Sequence, residues 1–347
     1  MKKFLLASLL LPMVSFSQSK WYVDAANNGT QNGTSWATAF KDVQPAIDAA
    51  AVGDSVFVKK GTYKPTQIQG TGSNPRDKAF RTKNGVKIYG GFVGTESWLS
   101  QRASDSLSLH VTNNTILSGD LGVQNDNSDN AYHVVVSLSS TFSAIMDGFQ
   151  ISDGNADTNT TNTINGGNHH RDVGAGVYSF SATATFSNCV LKNNVAKRGG
   201  AGMNNTAGGP VLNKCVLQSN EITGTYNQDP NGGGAGMRND ASSPAISDSY
   251  FKQNESSTNQ GGGGMRNENN SNPTLTNVVF YDNYTEDGDG GAGMYNATGS
   301  DPTLTNVSFI ENNTLNQGGA IYNDSSVLVA VGCLFMTTWG RWCRRSR

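Results

Sequence analysis

Short alternating segments dominate the pattern of apolar and polar residues between positions 174 and 332. In the segment 273–280, PTLTNVVF, Leu275 and Phe280 fit an inward face while Thr276 fits an outward one, which is the period of a half-buried strand. We find no helical period of useful length in this region. The pattern therefore predicts an all-β structure in which each repeat consists of strand, turn, strand and turn.

These strands belong to an internal repeat. Each copy has a Gly-rich step such as GAGM, and the better preserved copies continue to an F-x-x-N or L-x-x-N tetrapeptide. The spacing between copies is 26 to 34 residues, and the length varies between the tetrapeptide and the next Gly-rich step, which predicts coils with loops leaving from one corner. The apolar residues that end the Gly-rich steps are Val177, Met203, Met237, Met265, Met294 and Ile321.

One such repeat cannot bury its apolar face alone. Stacking of successive coils as parallel strands, about 4.8 Å apart, provides that burial. We therefore predict a parallel β-helix with Met and Phe in interior ladders. An asparagine lies two residues after the apolar residue in five copies, and we interpret it as a buried structural ladder rather than a catalytic group. These are Asn205, Asn239, Asn267, Asn296 and Asn323.

The amino-terminal part differs from the repeats. Asp42 can begin a short helix with Pro45 in its first turn, and Val43 and Ile47 then share one face. Such a helix would cover the open end of the stack. The predicted divisions are a cap with the first coil at 18–66, irregular early coils with long loops at 67–173, regular coils at 174–335, and an aberrant tail at 336–347.

Two further expectations concern the ends of the sequence. Residues 1–17 contain Lys2 and Lys3 before an apolar run that is too short to span a bilayer, and small residues precede Gln18, which is typical of a secretory signal peptide. We therefore expect a secreted or outer cell-surface protein that does not span the membrane. The tail 336–347 loses the repeat, which suggests a truncation, so we expect a monomer that aggregates at an uncapped end.

Composition and charge narrow the possible partners. Charged residues make up only 15% of the chain, which does not suit a helical bundle with a salt-bridged surface. Net charge is −2 overall, but six of the 25 basic residues lie in 1–17 and 333–347, leaving 19 basic against 27 acidic residues between them. An acidic body without a basic stripe argues against nucleic acid as a partner.

The four cysteines do not form a disulfide framework in a chain of this length. Cys189, Cys215 and Cys333 occupy the same repeat position, and Cys343 lies in the tail. We expect buried free thiols rather than a bridge between Cys189 and Cys215.

The repeat carries a family resemblance. GGAI at 318–321, with FKQN, FYDN and FIEN at the ends of their strands, resembles the paired GGA-[ILV] and F-x-x-N repeats of polymorphic outer-membrane proteins. The segment from WYVDAA to GTY resembles the entry cap of secreted right-handed β-helix repeat proteins. These resemblances imply a right-handed β-helix within the pectate-lyase-like superfamily, whose members include adhesin-like passengers as well as polysaccharide lyases and hydrolases. Fold alone does not choose between those activities.

Candidate chemistry is sparse along the repeats. The D-D, G-H-G and R-I-K motifs of pectinolytic hydrolases are absent from the sequence, which weighs against a hydrolase. Arg238 follows the Met ladder and stacks on Arg266, and both are expected to point outward beside tyrosines. Paired arginines and aromatic rings suit contact with a uronate or another sugar, and the alternative is a solvated outer face. The candidate binding residues are Tyr178, Arg238, Arg266, Tyr295 and Tyr322.

Two other clusters are candidate metal sites. The stretch TEDGDGG offers Glu286, Asp287 and Asp289 as ligands for calcium, with a polar loop as the alternative. His169 and His170 are adjacent, and because side chains alternate along an extended chain they chelate poorly, so we expect a surface loop there. No other cofactor is expected.

The combined prediction is a secreted or cell-surface β-helix protein without catalytic activity, acting as an adhesion or glycan-binding passenger. Its partner would be a polysaccharide or a host or cell-surface glycan. The alternative is an enzyme, either a polysaccharide lyase or a glycoside hydrolase, that acts on acidic polysaccharide.

Overall fold

The structure is a computed structural model that describes residues 18–103, 115–124, 126–138, 143–224, 232–257, 261–286, 290–297, 299–336 and 338. Within these ranges almost all strands pair in parallel, and each regular coil contributes one strand to each of four sheets. We number the sheets 1 to 4 in the order in which a coil passes through them. The predicted all-β parallel helix is confirmed.

Sheets 1 and 2 form two sides of the stack. The strands of sheet 1 are Lys20–Val23, Ser55–Lys59, Lys87–Phe92, Ile145–Asp147, Thr185–Ser187, Val211–Asn213, Ala245–Ser247, Thr274–Thr276, Thr303–Thr305 and Val329–Val331. The strands of sheet 2 are Gly61–Tyr63, Thr115–Ser118, Gln150–Ser152, Val190–Lys192, Val216–Gln218, Tyr250–Lys252, Val279–Tyr281, Ser308–Ile310 and Leu334–Met336.

Sheets 3 and 4 complete each coil. Sheet 3 contains Asn155–Ala156, Val195–Ala196, Glu221–Ile222, Glu255–Ser256, Tyr284–Thr285 and Asn313–Thr314. Sheet 4 contains Phe80–Arg81, Val135–Leu138, Val177–Phe180, Met203–Thr206, Met237–Asp240, Met265–Glu268, Met294–Asn296 and Ile321–Asn323.

A few elements lie outside the stack. An antiparallel hairpin of Thr161–Ile164 and Gly167–His170 extends before the regular coils. An α-helix, Val43–Ala49, begins after Asp42 and buries Val43 and Ile47, although the Asp42 side chain makes no capping hydrogen bond. The 3₁₀-helices are Trp36–Thr38, Pro75–Asp77, Leu99–Gln101 and Asn127–Asp129.

The prediction of two strands per repeat is wrong, because tight turns divide each regular coil into four short strands. The segment 273–280 forms one strand in sheet 1 and the start of another in sheet 2, separated by Asn277 with φ of 55°. Asparagine tolerates this left-handed conformation better than most residues do. Leu275 and Phe280 are buried while Thr276 is exposed, so the predicted inward and outward faces are confirmed.

The core consists of ladders of like residues. Phe280 stacks between Phe251 and Phe309, with ring centroids 4.8 Å apart on both sides. In sheet 4 the inward residues Met203, Met237, Met265 and Met294 are fully buried, as predicted. Cys189 and Cys215 are buried free thiols, also as predicted.

Asparagine amides run along the stack as a second kind of ladder. In sheet 4, Asn205 donates to Asn239 at 2.9 Å and Asn239 donates to Asn267 at 2.8 Å. The prediction of buried, paired asparagines is confirmed for Asn205, Asn239, Asn267 and Asn296, whereas Asn323 accepts from Asn296 but is exposed at the end of the ladder. The tetrapeptide asparagines form a parallel series beside sheet 3, in which Asn220 donates to Asn254 at 2.9 Å. Their amides satisfy polar groups that stacking removes from water.

Candidate functional site

An open groove lies on the outer face of sheet 2, where the coils are least regular. Its volume is about 510 Å³, within the range of ligand pockets. The strands Thr115–Ser118 and Gln150–Ser152 form its floor, and residues after Ser118 form one side. The lining residues are Thr62, Lys64, Ile116, Ser118, Asp120, Gln124, Asn127, Asn130, Gln150, Ser152, Asp153, Lys192 and Asn193.

Strand alternation explains why polar side chains collect there. Leu117, Ile151 and Leu191 are fully buried in the core, so their neighbours along each strand project to the outside. Parallel pairing then places Ser152 beside Lys192 in adjacent strands. The groove is therefore a consequence of core packing, which turns these polar side chains away from the interior.

Lys64 and Asp120 form an ion pair within the groove. Lys64 Nζ lies 3.1 Å from Asp120 Oδ1, and 44% of the Lys64 side chain is exposed against 17% for Asp120. Because an exposed pair contributes little to stability, its two charged groups can be redirected to a ligand at low energetic cost.

Asp153 is held by two hydroxyl groups. Ser118 Oγ donates to Asp153 Oδ2 at 2.7 Å, and Ser152 Oγ donates to the same atom at 2.8 Å. The backbone of Asp153 has φ of 65°, but Asn193, one coil later, has φ of 54° at the same turn. The fold thus sets the backbone, while the two serines fix the direction of this carboxylate.

Lys192 brings a second cation to the groove. Its strand neighbours are Ser152 on one side and Gln218 on the other. Within the described residues its ammonium group has no ion-pair or hydrogen-bond partner. A half-buried amine in such a position is available for the carboxylate or hydroxyl oxygens of a ligand.

Sequence reasoning missed all four charged residues of this groove. Lys64, Asp120 and Asp153 belong to the irregular coils, where no repeat motif defines the register. The outward direction of Lys192 alone was predictable, because it follows the inward Leu191 in a strand of a regular coil.

The residues of the predicted binding ladder are paired in the expected register, but they do not form an open surface. Tyr178, Arg238, Arg266, Tyr295 and Tyr322 do occupy equivalent outward positions of sheet 4. However, the exposed fractions are only 5% for Arg238 and 4% for Arg266, and Tyr178 and Tyr295 are also buried. The expectation that these arginines point into solvent is therefore wrong.

Close approach of glycines accounts for this burial. A Cβ atom at Gly199 would lie 2.6 Å from Arg238 Cδ, and one at Gly261 would lie 2.9 Å from Tyr295 Cδ2. The chain at Gly199 and Gly261 thus passes directly over these outward side chains. Only residues without a side chain permit that contact.

The buried arginines already have partners. Glu268 pairs with both Arg238 and Arg266, the latter through Arg266 Nε at 3.0 Å. Arg238 Nη1 also donates to Asn204 Oδ1 at 3.0 Å. The Arg266 guanidinium lies 4.5 Å from the centroid of the Tyr295 ring, a cation–π contact. These contacts fit a structural network.

Tyr178 belongs to a buried group with two histidines. Its ring lies 4.9 Å from that of His133 and 5.4 Å from that of His169. Burial raises the pKa of Tyr178 to about 12 and lowers the pKa of His133 to about 4. The expected surface loop is wrong, because His169 and His170 both lie in a strand of the hairpin. His169 is buried and His170 is exposed, so the two side chains do diverge as expected.

The candidate calcium ligands are only partly described. Glu286 is exposed, whereas Asp287 and Asp289 lie outside the described residues. Elsewhere in the described ranges, we find no group of three or more His, Cys, Asp or Glu side chains placed to hold a metal ion. Calcium binding at Glu286 stays a prediction.

One comparison with known proteins agrees with the described fold. Residues 175–341 match the family described as right handed beta helix region. The fold is a right-handed parallel β-helix. The crystal structure of pectate lyase Pel9A aligns with 92% of this chain and 79% of its own at 10% identity and a TM-score of 0.43, a distant likeness that says nothing about activity. No curated protein matches significantly.

The repeat type and the relation to the membrane are the remaining expectations. The resemblance to polymorphic outer-membrane repeats is still a prediction, since the matched family is broader. For the membrane, helices in the described ranges are all too short or too polar to cross a bilayer.

Proposed function

We propose that this right-handed β-helix binds a polysaccharide chain in the groove of sheet 2, acting outside the cell. The observation that carries the proposal is the convergence of Lys64, Asp120, Asp153 and Lys192 with amide side chains in one open groove. Sugar rings present hydroxyl groups that pair with carboxylates, amides and amines alike. The amino-terminal signal-like sequence supports secretion.

The groove is suited to a chain rather than a small apolar ligand. It is open, its lining is mostly polar, and it lies along stacked strands whose repeat is about 4.8 Å. Lys64 and Asp120 can exchange their mutual contact for hydroxyl groups, while Asp153 is already oriented by Ser118 and Ser152. In this proposal the ladder from Tyr178 to Tyr322 has a structural role.

The test is affinity electrophoresis of the full chain in gels containing a neutral or an acidic polysaccharide. Xylan, β-glucan, alginate and polygalacturonate would serve as the panel. We expect at least one to retard the protein, and Lys192→Ala to weaken that retardation. Lys252→Ala is the matched control because Lys252 occupies the equivalent outward position two coils later, beyond the groove. Equal mobility across the panel, or equal effects of both variants, would contradict the proposal.

A second candidate function is β-elimination of an acidic polysaccharide. The observation that favours it is the amine of Lys192, which is unpaired within the described residues and lies in a groove that also contains carboxylates. A lyase needs such a base, in its neutral form, to take the proton beside the uronate carboxyl group. The electron pair left behind forms the C=C bond as the glycosidic C–O bond breaks, and the released sugar oxygen takes a proton from the lysine ammonium group or from water. Unsaturated product that appears with the native chain and Lys252→Ala, but not with Lys192→Ala, would establish this activity.

A further inference from the structure

A second cavity lies at the amino-terminal end of sheet 4. Its volume is about 450 Å³, and its lining shares no residue with the groove of sheet 2. It is formed by the helix Val43–Ala49, the segment around Arg81, the end of Val135–Leu138 and the turn of the hairpin. The lining residues are Gln44, Asp48, Gln67, Gln69, Arg81, Thr82, Lys83, Asn84, Leu138 and Asn165.

Arg81 occupies the same outward register as the two buried arginines. It pairs with Val136, which pairs with Tyr178, and the series continues to Arg238 and Arg266. Arg81 is therefore the first arginine of this ladder, and it can be compared with the later ones position by position.

The comparison shows a difference in charge. Two residues after Arg238 and Arg266 stand Asp240 and Glu268, and each contacts its arginine. Two residues after Arg81 stands Lys83. The acid that neutralises the later arginines is thus replaced by another cation.

The neighbouring polar groups form hydrogen bonds with the backbone of Arg81 and not with its guanidinium group. Gln44 Oε1 accepts from Arg81 N at 2.7 Å, and Gln44 Nε2 donates to Arg81 O at 3.3 Å and to Asp48 Oδ1 at 2.9 Å. Lys83 Nζ donates to the backbone oxygen of Asp48 at 2.7 Å. Across the described residues, the Arg81 guanidinium has no hydrogen-bond or ion-pair partner.

We propose that this cavity binds a small hydroxylated carboxylate, such as a uronate or an aldonate, with its carboxyl group on Arg81. A guanidinium group presents two parallel donors that match a carboxylate, and a half-buried position strengthens that pairing. Lys83 adds a second positive charge, Asp48 is the one carboxylate of the lining, and Gln67, Gln69 and Asn165 supply amide groups for hydroxyls. With two cations against one anion, the lining keeps a net positive charge. This site does not depend on the groove or on its proposed function.

The experiment is isothermal titration of the full chain with D-glucuronate, using D-glucose as the uncharged comparison. We expect glucuronate to bind and glucose to bind at least about tenfold more weakly, since glucose lacks the charge-assisted hydrogen bonds to the guanidinium group. Arg81→Gln should weaken glucuronate binding by a similar factor. Lys252→Ala should leave it unchanged, because Lys252 lines neither this cavity nor the groove of sheet 2.

A second variant protects the test against misfolding of Arg81→Gln. Gln67→Glu adds a carboxylate to the lining and leaves residue Arg81 unchanged. We expect this variant also to weaken glucuronate binding, because the new carboxylate repels that of glucuronate and competes with it for the guanidinium group. The proposal is overturned if glucuronate does not bind the native chain, if glucose binds equally well, or if folded Arg81→Gln and Gln67→Glu both retain the native affinity.

Discussion

Asn254 donates a hydrogen bond from Nδ2 to Oδ1 of Asn283 at 2.9 Å, and neither residue is exposed to solvent. The same Nδ2 group also donates to Leu217 O at 2.9 Å, while Oδ1 accepts from Asn220. One amide therefore joins three successive coils. This relationship makes the tetrapeptide asparagines a structural requirement rather than a surface feature.

Replacing Asn254 by Asp should destabilise the protein severely. The carboxylate has nearly the same shape but cannot donate to Leu217 O or Asn283 Oδ1, and each buried group left unpaired costs about 1–3 kcal/mol. Chemical denaturation would measure the loss. Asn313→Ala is the control, since Asn313 is exposed on sheet 3, and it should have little effect. Equal stability of Asn254→Asp and the native chain would refute a role for the ladder.

The phenylalanine stack gives a second prediction. Phe280→Ala removes a fully buried ring from between Phe251 and Phe309, and large-to-small changes of this kind cost about 3–5 kcal/mol. Tyr281→Ala, the adjacent and exposed position, should cost much less. Thermal unfolding of the two variants side by side decides the matter, and similar melting temperatures would be inconsistent with the core described above.

Glu268 tests whether the arginine ladder is structural. Glu268→Gln removes the carboxylate shared by Arg238 and Arg266, and breaking a buried ion pair from one side typically costs about 3–5 kcal/mol. The exposed Glu221→Gln is the control. If Glu268→Gln leaves stability intact but abolishes polysaccharide retention, the ladder is a binding surface after all.

His133 predicts a pH dependence of stability. Burial lowers the pKa of this histidine to about 4 in the folded chain, and its ring Nδ1 lies 3.0 Å from Gly174 O. An unfolded histidine has a pKa of about 6.5, so between these values only the unfolded chain takes up the proton. Stability should therefore be complete above pH 6.5 and fall as the pH falls toward 4, by about 3 kcal/mol in total from this group.

The measurement for His133 is denaturation at several pH values between 7 and 4, with His133→Gln for comparison. Carboxylates and His169 titrate in both proteins, so the difference between the two curves reports on His133. The variant should lose less stability on acidification. Parallel curves would show that His133 does not contribute.

Sequence alone predicted the repetitive parts of the fold because each coil restates the same constraints. Met265 and Asn267 recur at fixed offsets, so their ladders follow from periodicity. The division of each coil into four strands was missed because it depends on left-handed turns at residues such as Asn277. A single polar residue at such a position predicts a turn only weakly.

The site was not predicted for two physical reasons. Lys64 and Asp120 are 56 residues apart and meet only through the path of irregular coils, which no motif encodes. Conversely, Arg238 was expected to be exposed because strand alternation points its side chain away from the core. Alternation does not predict whether another segment covers that side chain. The chain at Gly199 covers it, and that contact is tertiary.

Hydrogen–deuterium exchange in the presence of the polysaccharide that retards the protein most is the most direct test of the proposed groove. The account predicts slower exchange of backbone amides at 119–124 and 126–130 and around Lys192, with no change around Lys252 or along the outward side of sheet 4. Protection centred on Tyr295 and Tyr322, with none at 119–130, would contradict it.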